Sequence, residues 1–299
     1  MPQNNKKQKI MNEVITVNSA DMLEAINRSE IDIQIATARR FPRNIEQSKQ
    51  RILDLACQDK DIAYRCFYHL ERTERKQDEH GQWRDVKTVI EGLSVRMAEI
   101  IAVSWGNLRC ASRIIGNDGK MITAQGVCHD LETNVAVSVE NKRSIMYSSG
   151  KTYSQDMQVV TGNAASAIAF RNAVLKVVPH AVIGDIEKRI QDKAKEEIRQ
   201  RGVPEQWRDC VAAFQKLGVK EDALLEWLGA GKLRDEVTAD DIMRLGGVYT
   251  AIQEGTTTVA ESFTQPKEQK QQAQAAIEAA NDAKAKAEQA MKRAAAKKQ

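Results

Sequence analysis

Between Val89 and Pro179 the apolar positions switch from helical spacing to strand spacing and back, and this stretch organises the chain. Val95, Met97, Ala98, Ile100, Ile101 and Val103 wrap most of a helix over Leu93 to Trp105, which predicts burial on more than one side. Gly106 ends it. Three extended runs follow, Leu108 to Ile115, Lys120 to Leu131 and Val135 to Tyr147, rich in β-branched residues and separated by the turn signals Asn117-Asp118-Gly119 and Glu132-Thr133-Asn134. They predict an antiparallel β-meander. A closing helix over Met157 to Val178 carries Gly162, Ala164, Ala165, Ser166, Ala167, Ala169 and Ala173, small enough to lie close on a sheet, until Pro179 stops it. The fold class is therefore α+β: a helix, three strands and a helix as the core, with a small all-α module after it.

The flanks are simpler. Residues 1 to 17 are polar and basic, which predicts disorder. Ala20 to Ser29 and Asn44 to Gln58 have helical spacing, and between them lies Ile31 to Arg43, with Arg39, Arg40 and Arg43 around Phe41. That segment reads either as a backbone-and-base contact for nucleic acid or as an exposed loop with a buried Phe41. Cys66 to Arg75 and Trp83 to Ile90 predict a charged β-hairpin with a polar tip at Lys76 to Gln82, serving as a solvated arm, a subunit contact or a strand clamp. The expected core domain spans 18 to 183. A charge-laced helical connector at 184 to 203 follows, with Ile186, Ile190, Ala194 and Ile198 as its apolar positions, broken by Gly202-Val203-Pro204. The helical module at 204 to 263 comprises Glu205 to Leu217, Glu221 to Leu228 and Asp240 to Glu254, the last opened by a Thr238/Asp241 capping box. The remainder, 264 to 299, is rich in Gln, Ala and Lys.

Charge changes the picture less than its total suggests. The formal net charge is +4 in 299 residues, but five lysines and one arginine between Asn281 and Gln299 face only Asp282 and Glu288, so the tail holds the excess and the body is about neutral. A nucleic-acid surface must then come from segregated charge. Strand alternation supplies one: Leu108, Cys110 and Ile114 share a side, while Arg109, Ala111 and Arg113 share the other. On the third strand Val135, Val137 and Val139 point one way before the polar run Asn141, Lys142, Arg143 and Ser144, which a solvated strand end explains equally well. Arg171 projects onto the apolar side of the closing helix, where it requires a carboxylate or a phosphate, since an unpaired buried charge is costly. The five cysteines have no close-paired spacing and predict reduced thiols in a reducing compartment; no apolar signal core or membrane-length run occurs, which predicts a soluble, cytoplasmic chain.

Other chemistry finds little support. Gly116-Asn117-Asp118-Gly119-Lys120 lacks phosphate-loop spacing and is followed by Met121. Cys128 and His129, as strand neighbours, face opposite sides, while His69, His80 and His180 stand alone, so no metal site and no cofactor are expected. Asp130 with Glu140-Asn141-Lys142 has the make-up of a Mg²⁺-dependent nuclease. With Asp130 opposite about Ala136, however, Glu140 lies on the order of 13 Å further along, too far for one ion.

The order of elements, with Glu91-Gly92-Leu93-Ser94-Val95-Arg96, Trp105-Gly106-Asn107-Leu108 and Thr161-Gly162-Asn163-Ala164-Ala165-Ser166 leading into Phe170-Arg171-Asn172-Ala173-Val174, resembles the phage single-strand annealing recombination proteins. These comprise the Erf and RecT types and the eukaryotic break-repair annealing protein, and the likeness covers roughly residues 30 to 183. It implies ATP-independent binding and annealing of single-stranded DNA, no cofactor, a homo-oligomeric ring or filament, and the cytoplasm of a bacterial host. It further implies that 204 to 263 recruits a partner such as a single-strand-binding protein or an exonuclease. The DNA contacts it implies are Lys142, Arg143, Arg171 and Lys176. Strand parity adds Arg109 and Arg113, with Arg39, Arg40 and Arg43 as a secondary set. A Mg²⁺-dependent nuclease and a non-catalytic structural or adaptor protein remain as alternatives.

Overall fold

Side-chain caps mark where several helices begin. Asn44 accepts a hydrogen bond from the Gln47 N–H to open α2 (Ile45–Ala56), Ser94 accepts from Met97 to open α4 (Val95–Trp105), and Ser154 accepts from Met157 to open α5 (Gln155–Val177). The computed structural model describes residues 22, 24–58, 62–77, 81–147 and 149–263, so the expected terminal segments 1–17 and 264–299, and His80, lie outside the described residues. In chain order the other elements are helix α1 (24–40), α3 (Ile62–Arg65), strands β1 (Phe67–Gln77) and β2 (Trp83–Leu93), β3 (Leu108–Asn117), β4 (Met121–Asp130) and β5 (Val135–Ser144). After α5 come α6 (His180–Arg201), α7 (Val203–Gln215), α8 (Glu221–Leu228), a short 3-10 turn, α9 (Ala239–Gln253) and α10 (Val259–Phe263).

The protein is α+β, and its centre is the antiparallel meander β3-β4-β5, with Cys110 opposite Cys128 and Cys128 opposite Val137. At the first turn Asp118 accepts from the N–H groups of Lys120 and Met121, and Gly119 takes φ +83°, which only glycine adopts freely; this is a hairpin turn and no phosphate cradle. Along β4 burial alternates strictly, with Ile122, Ala124, Gly126, Cys128 and Asp130 beneath α5. Gly126 permits the closest approach. An added Cβ there would stand 2.1 Å from the Ala169 carbonyl oxygen, so the small-residue face of α5 lies on a strand made small to match. The main core then continues through Met97, Ile101, Trp105, Val174, Ile186 and Ile190.

Several boundaries move. Residues 24–40 form one helix where the sequence suggested a helix followed by a contact segment or loop, and Leu93 closes β2 instead of opening α4. β5 ends at Ser144. The expected connector is α6, which starts at His180, meets α5 at a bend of 113° and buries Ile183, Ile186, Ile190 and Ala194 in the main core. The C-terminal helices have their own cluster around Trp207, Phe214, Leu224 and Leu245, yet α9 packs on the β1–β2 hairpin: Gly247 lies against His69, and Arg244 donates to Glu71 at 2.8 Å. The hairpin's base is thus covered within the chain, while Trp83 and Val89 are exposed. Among the described residues no single helix is long and apolar enough to cross a membrane.

Candidate nucleic-acid interface

Because α5 covers the Gly126 side of the meander, the residues of opposite parity form its open face. In register these are Arg109–His129–Ala136, Ala111–Val127–Ser138, Arg113–Gln125–Glu140 and, beyond the β-bulge between Ile114 and Gly116, Thr123–Lys142. Three cations, Arg109, Arg113 and Lys142, share this face with one carboxylate, Glu140. Their polar neighbours are neutral amides: Arg109 donates to Gln34 of α1 at 3.2 Å, and Arg113 donates twice to Gln125 at 3.2 and 3.0 Å. Among the described residues none of the three is paired with a carboxylate, so each keeps its charge available for an anion from solution.

The end of α1 borders this face. Asn107, in the left-handed region at φ +53°, donates to the Phe41 carbonyl oxygen at 3.0 Å and to Glu132 at 2.6 Å, which holds 41–43 beside the start of β3. Phe41 is 64% exposed with the Arg40 guanidinium over its ring, and Arg39 is exposed as well. The expectation of a buried Phe41 is therefore corrected. The aromatic points outward and Arg43 points in.

Arg43 is removed from the candidate set by the same reversal. Its guanidinium donates to both oxygens of Asp130 (2.8 Å from Nη1) and to Glu132 at 2.8 Å, and it stacks over Trp105 at 4.9 Å, with 8% of the side chain exposed. Burial pushes the Asp130 carboxyl up, but Arg43 and the Glu132 and Thr133 N–H groups outweigh it and hold Asp130 below the ordinary carboxylate range; Glu132 is lowered against its own burial by hydrogen bonds from the Asn107 amide and from the Arg43 side chain and N–H. Asp130 in addition lies on the covered face, opposite Val135, whereas Glu140 lies on the open face. The carboxylates of the nuclease alternative thus point to opposite sides of the sheet, a stronger separation than the distance along the strand.

Two of the contacts implied by resemblance are also internal. Arg171 is 7% exposed, lies over the Tyr68 ring at 4.6 Å and places Nη1 4.0 Å from Glu254 Oε2. Of the carboxylate and the phosphate that the sequence allowed as its partner, the fold supplies the carboxylate. Glu254 meanwhile accepts from the Val95 N–H at the start of α4; burial raises its pKa despite that bond and Arg171. Arg143 is on the covered face, partly buried, with burial lowering its pKa against the nearby charge of Glu261. Lys142 and Arg143, adjacent on a strand, cannot act as a pair on one surface. Lys176 is exposed, but it belongs to α5, the layer behind the sheet. The single track through all six residues is corrected to a smaller group: Arg109, Arg113 and Lys142, bordered by Arg39, Arg40 and Phe41. Gln125 and Gln34, which orient the arginines, were missed by sequence reasoning; strand parity could have placed the first, but nothing local places the second.

Among the described residues no group of histidine, cysteine and carboxylate side chains could hold a metal ion. Comparisons with protein-family models, with curated proteins and with solved structures find no match to this chain.

Proposed function

We propose that this chain binds single-stranded DNA and anneals complementary strands without a nucleotide, in recombination of the phage type. The observation that carries the proposal is the open face of β3-β4-β5, where Arg109, Arg113 and Lys142 have no carboxylate partner among the described residues. Cations at fixed positions on a sheet hold successive phosphates while the bases stay free to meet an incoming strand, and the exposed ring of Phe41 offers a stacking platform at the rim. Binding of this kind is strongly salt dependent and largely indifferent to sequence.

Assembly into a ring or filament is part of the proposal. Ile26 and Ile33 on α1 are exposed by 44 and 62%, an apolar pair that suits a contact between copies. Ile33→Asp is expected to shift the native mass towards the monomer; an unchanged mass removes α1 from the contact. The 204 to 263 helices are the expected contact for a single-strand-binding protein or an exonuclease.

The test is to mix two complementary oligonucleotides with the protein, with neither nucleotide nor metal. Faster duplex formation supports annealing, Mg²⁺-dependent cleavage would point to a nuclease, and neither would leave a structural or adaptor role. The triple variant Arg109→Ala/Arg113→Ala/Lys142→Ala should lose about tenfold in affinity per cation and flatten the salt dependence by about two units of slope. Arg143→Ala should leave affinity unchanged. Equal losses from both variants would move the strand to another surface.

A further inference from the structure

Behind the cationic face, on the covered side of the same strands, lies chemistry that strand binding does not use. Cys110 and Cys128 are direct partners in the β3–β4 register, so their side chains leave the sheet on one side, and their Sγ atoms stand 3.0 Å apart. A disulfide requires about 2.05 Å between the sulfurs, so closure takes about 1 Å of sulfur movement between strands already held in register by the ladder. The two thiols differ in access. Cys128 is fully buried on the central strand, whereas Cys110 is partly exposed on β3, an edge strand of the meander.

We infer that Cys110 and Cys128 form a redox modification site, at which Cys110 attacks a low-molecular-weight disulfide and Cys128 resolves the adduct into a cross-strand disulfide. Cys110, having given its proton to solvent, attacks one sulfur of the small disulfide; a Cys110 mixed disulfide forms and one small thiolate leaves, taking the Cys128 proton. The Cys128 thiolate then attacks Cys110 Sγ, the protein disulfide forms, and the second small thiolate leaves and is protonated by solvent. Two protein thiols are oxidised to one disulfide, and one small disulfide is reduced to two thiols.

The surroundings assign the roles in the same sense. The hydrogen bond between the two sulfurs lowers the Cys110 pKa, while that bond and burial raise Cys128. The remaining cysteines are poorer competitors: burial pushes Cys66 and Cys210 up to about 12 and raises Cys57.

The experiment incubates the full-length reduced protein with glutathione disulfide, then unfolds and alkylates it and measures the intact mass. Three alkylated thiols, a loss of two hydrogens and a Cys110–Cys128 linked peptide are expected. Cys128→Ser should instead trap glutathione on Cys110, and Cys110→Ser should take up none. Five alkylated thiols, a stable glutathione adduct in the unsubstituted protein, a disulfide between any other pair, or a Cys128→Ser protein without the adduct would each overturn the inference.

Discussion

Arg43→Ala is expected to cost about 3–5 kcal/mol of stability, because removal of one partner leaves the others buried and uncompensated. Asp130 is 5% exposed and accepts from Arg43 at both oxygens, and Glu132 takes the Nε bond. The Trp105 face loses its stacked guanidinium at the same time. Arg43→Lys should recover little, since a single ammonium cannot reach both carboxylates in the forked geometry. The pH dependence has a definite sign. Asp130 and Glu132 both titrate below their ordinary values in the fold, so the stability they contribute is present above the unfolded carboxylate pKa and lost as pH falls through the folded one. In Arg43→Ala that acid-side loss should shrink. Urea unfolding across this pH range measures both effects; a loss under about 1 kcal/mol, or an unaltered pH profile, would mean that the pair is not what fixes the 41–43 segment. Single-strand affinity of the folded variant should fall far less than in the Arg109→Ala/Arg113→Ala/Lys142→Ala variant, which separates Arg43 from the cations of the open face.

Gly126→Ala should be at least as damaging. The new Cβ would meet the Ala169 oxygen at 2.1 Å, the Ala169 carbonyl carbon at 2.3 Å and the Phe170 nitrogen at 2.7 Å, all backbone atoms of α5. No rotamer change relieves such a clash. The helix must lift from β4, exposing the seam of Ala124, Ala165 and Ala169, and a loss of about 3 kcal/mol or more follows. Shrinking Ala169 to glycine should not rescue it, because the obstructing atoms are main chain. Gly162→Ala is the control: in the same helix, its Cβ would find the Ile114 Cδ1 at 3.7 Å, ordinary contact, and the higher helix propensity of alanine gives up to about 1 kcal/mol back. If both glycine variants unfold at the same urea concentration, the tight crossing of α5 over β4 is wrong.

These cases show what could be read along the chain. The alternation that places Arg109 and Arg113 together on β3 is a consequence of strand geometry two residues long, and it holds in the fold. The same rule separates Lys142 from Arg143, so their pairing as one contact, implied by resemblance, contradicted a pattern already visible. For Arg171 the helical projection identified a buried cation and its need for an anion, but Glu254 lies in another helical layer far along the chain. At 39–43 the composition indicated an aromatic among arginines and could not decide which would face inward.

By itself the sequence determined the local periodicities: the capping box at Thr238 and Asp241, the hairpin turn at Gly119, the alternation along β3 and the small-residue seam of α5. These follow from backbone geometry within a few residues, which every side chain senses directly. Only the tertiary structure decided which cations remain available. Whether an arginine is spent inside or left for a ligand depends on which carboxylate the fold brings within about 4 Å of it, and Asp130, Glu132 and Glu254 reach Arg43 and Arg171 from positions that no local pattern connects to them.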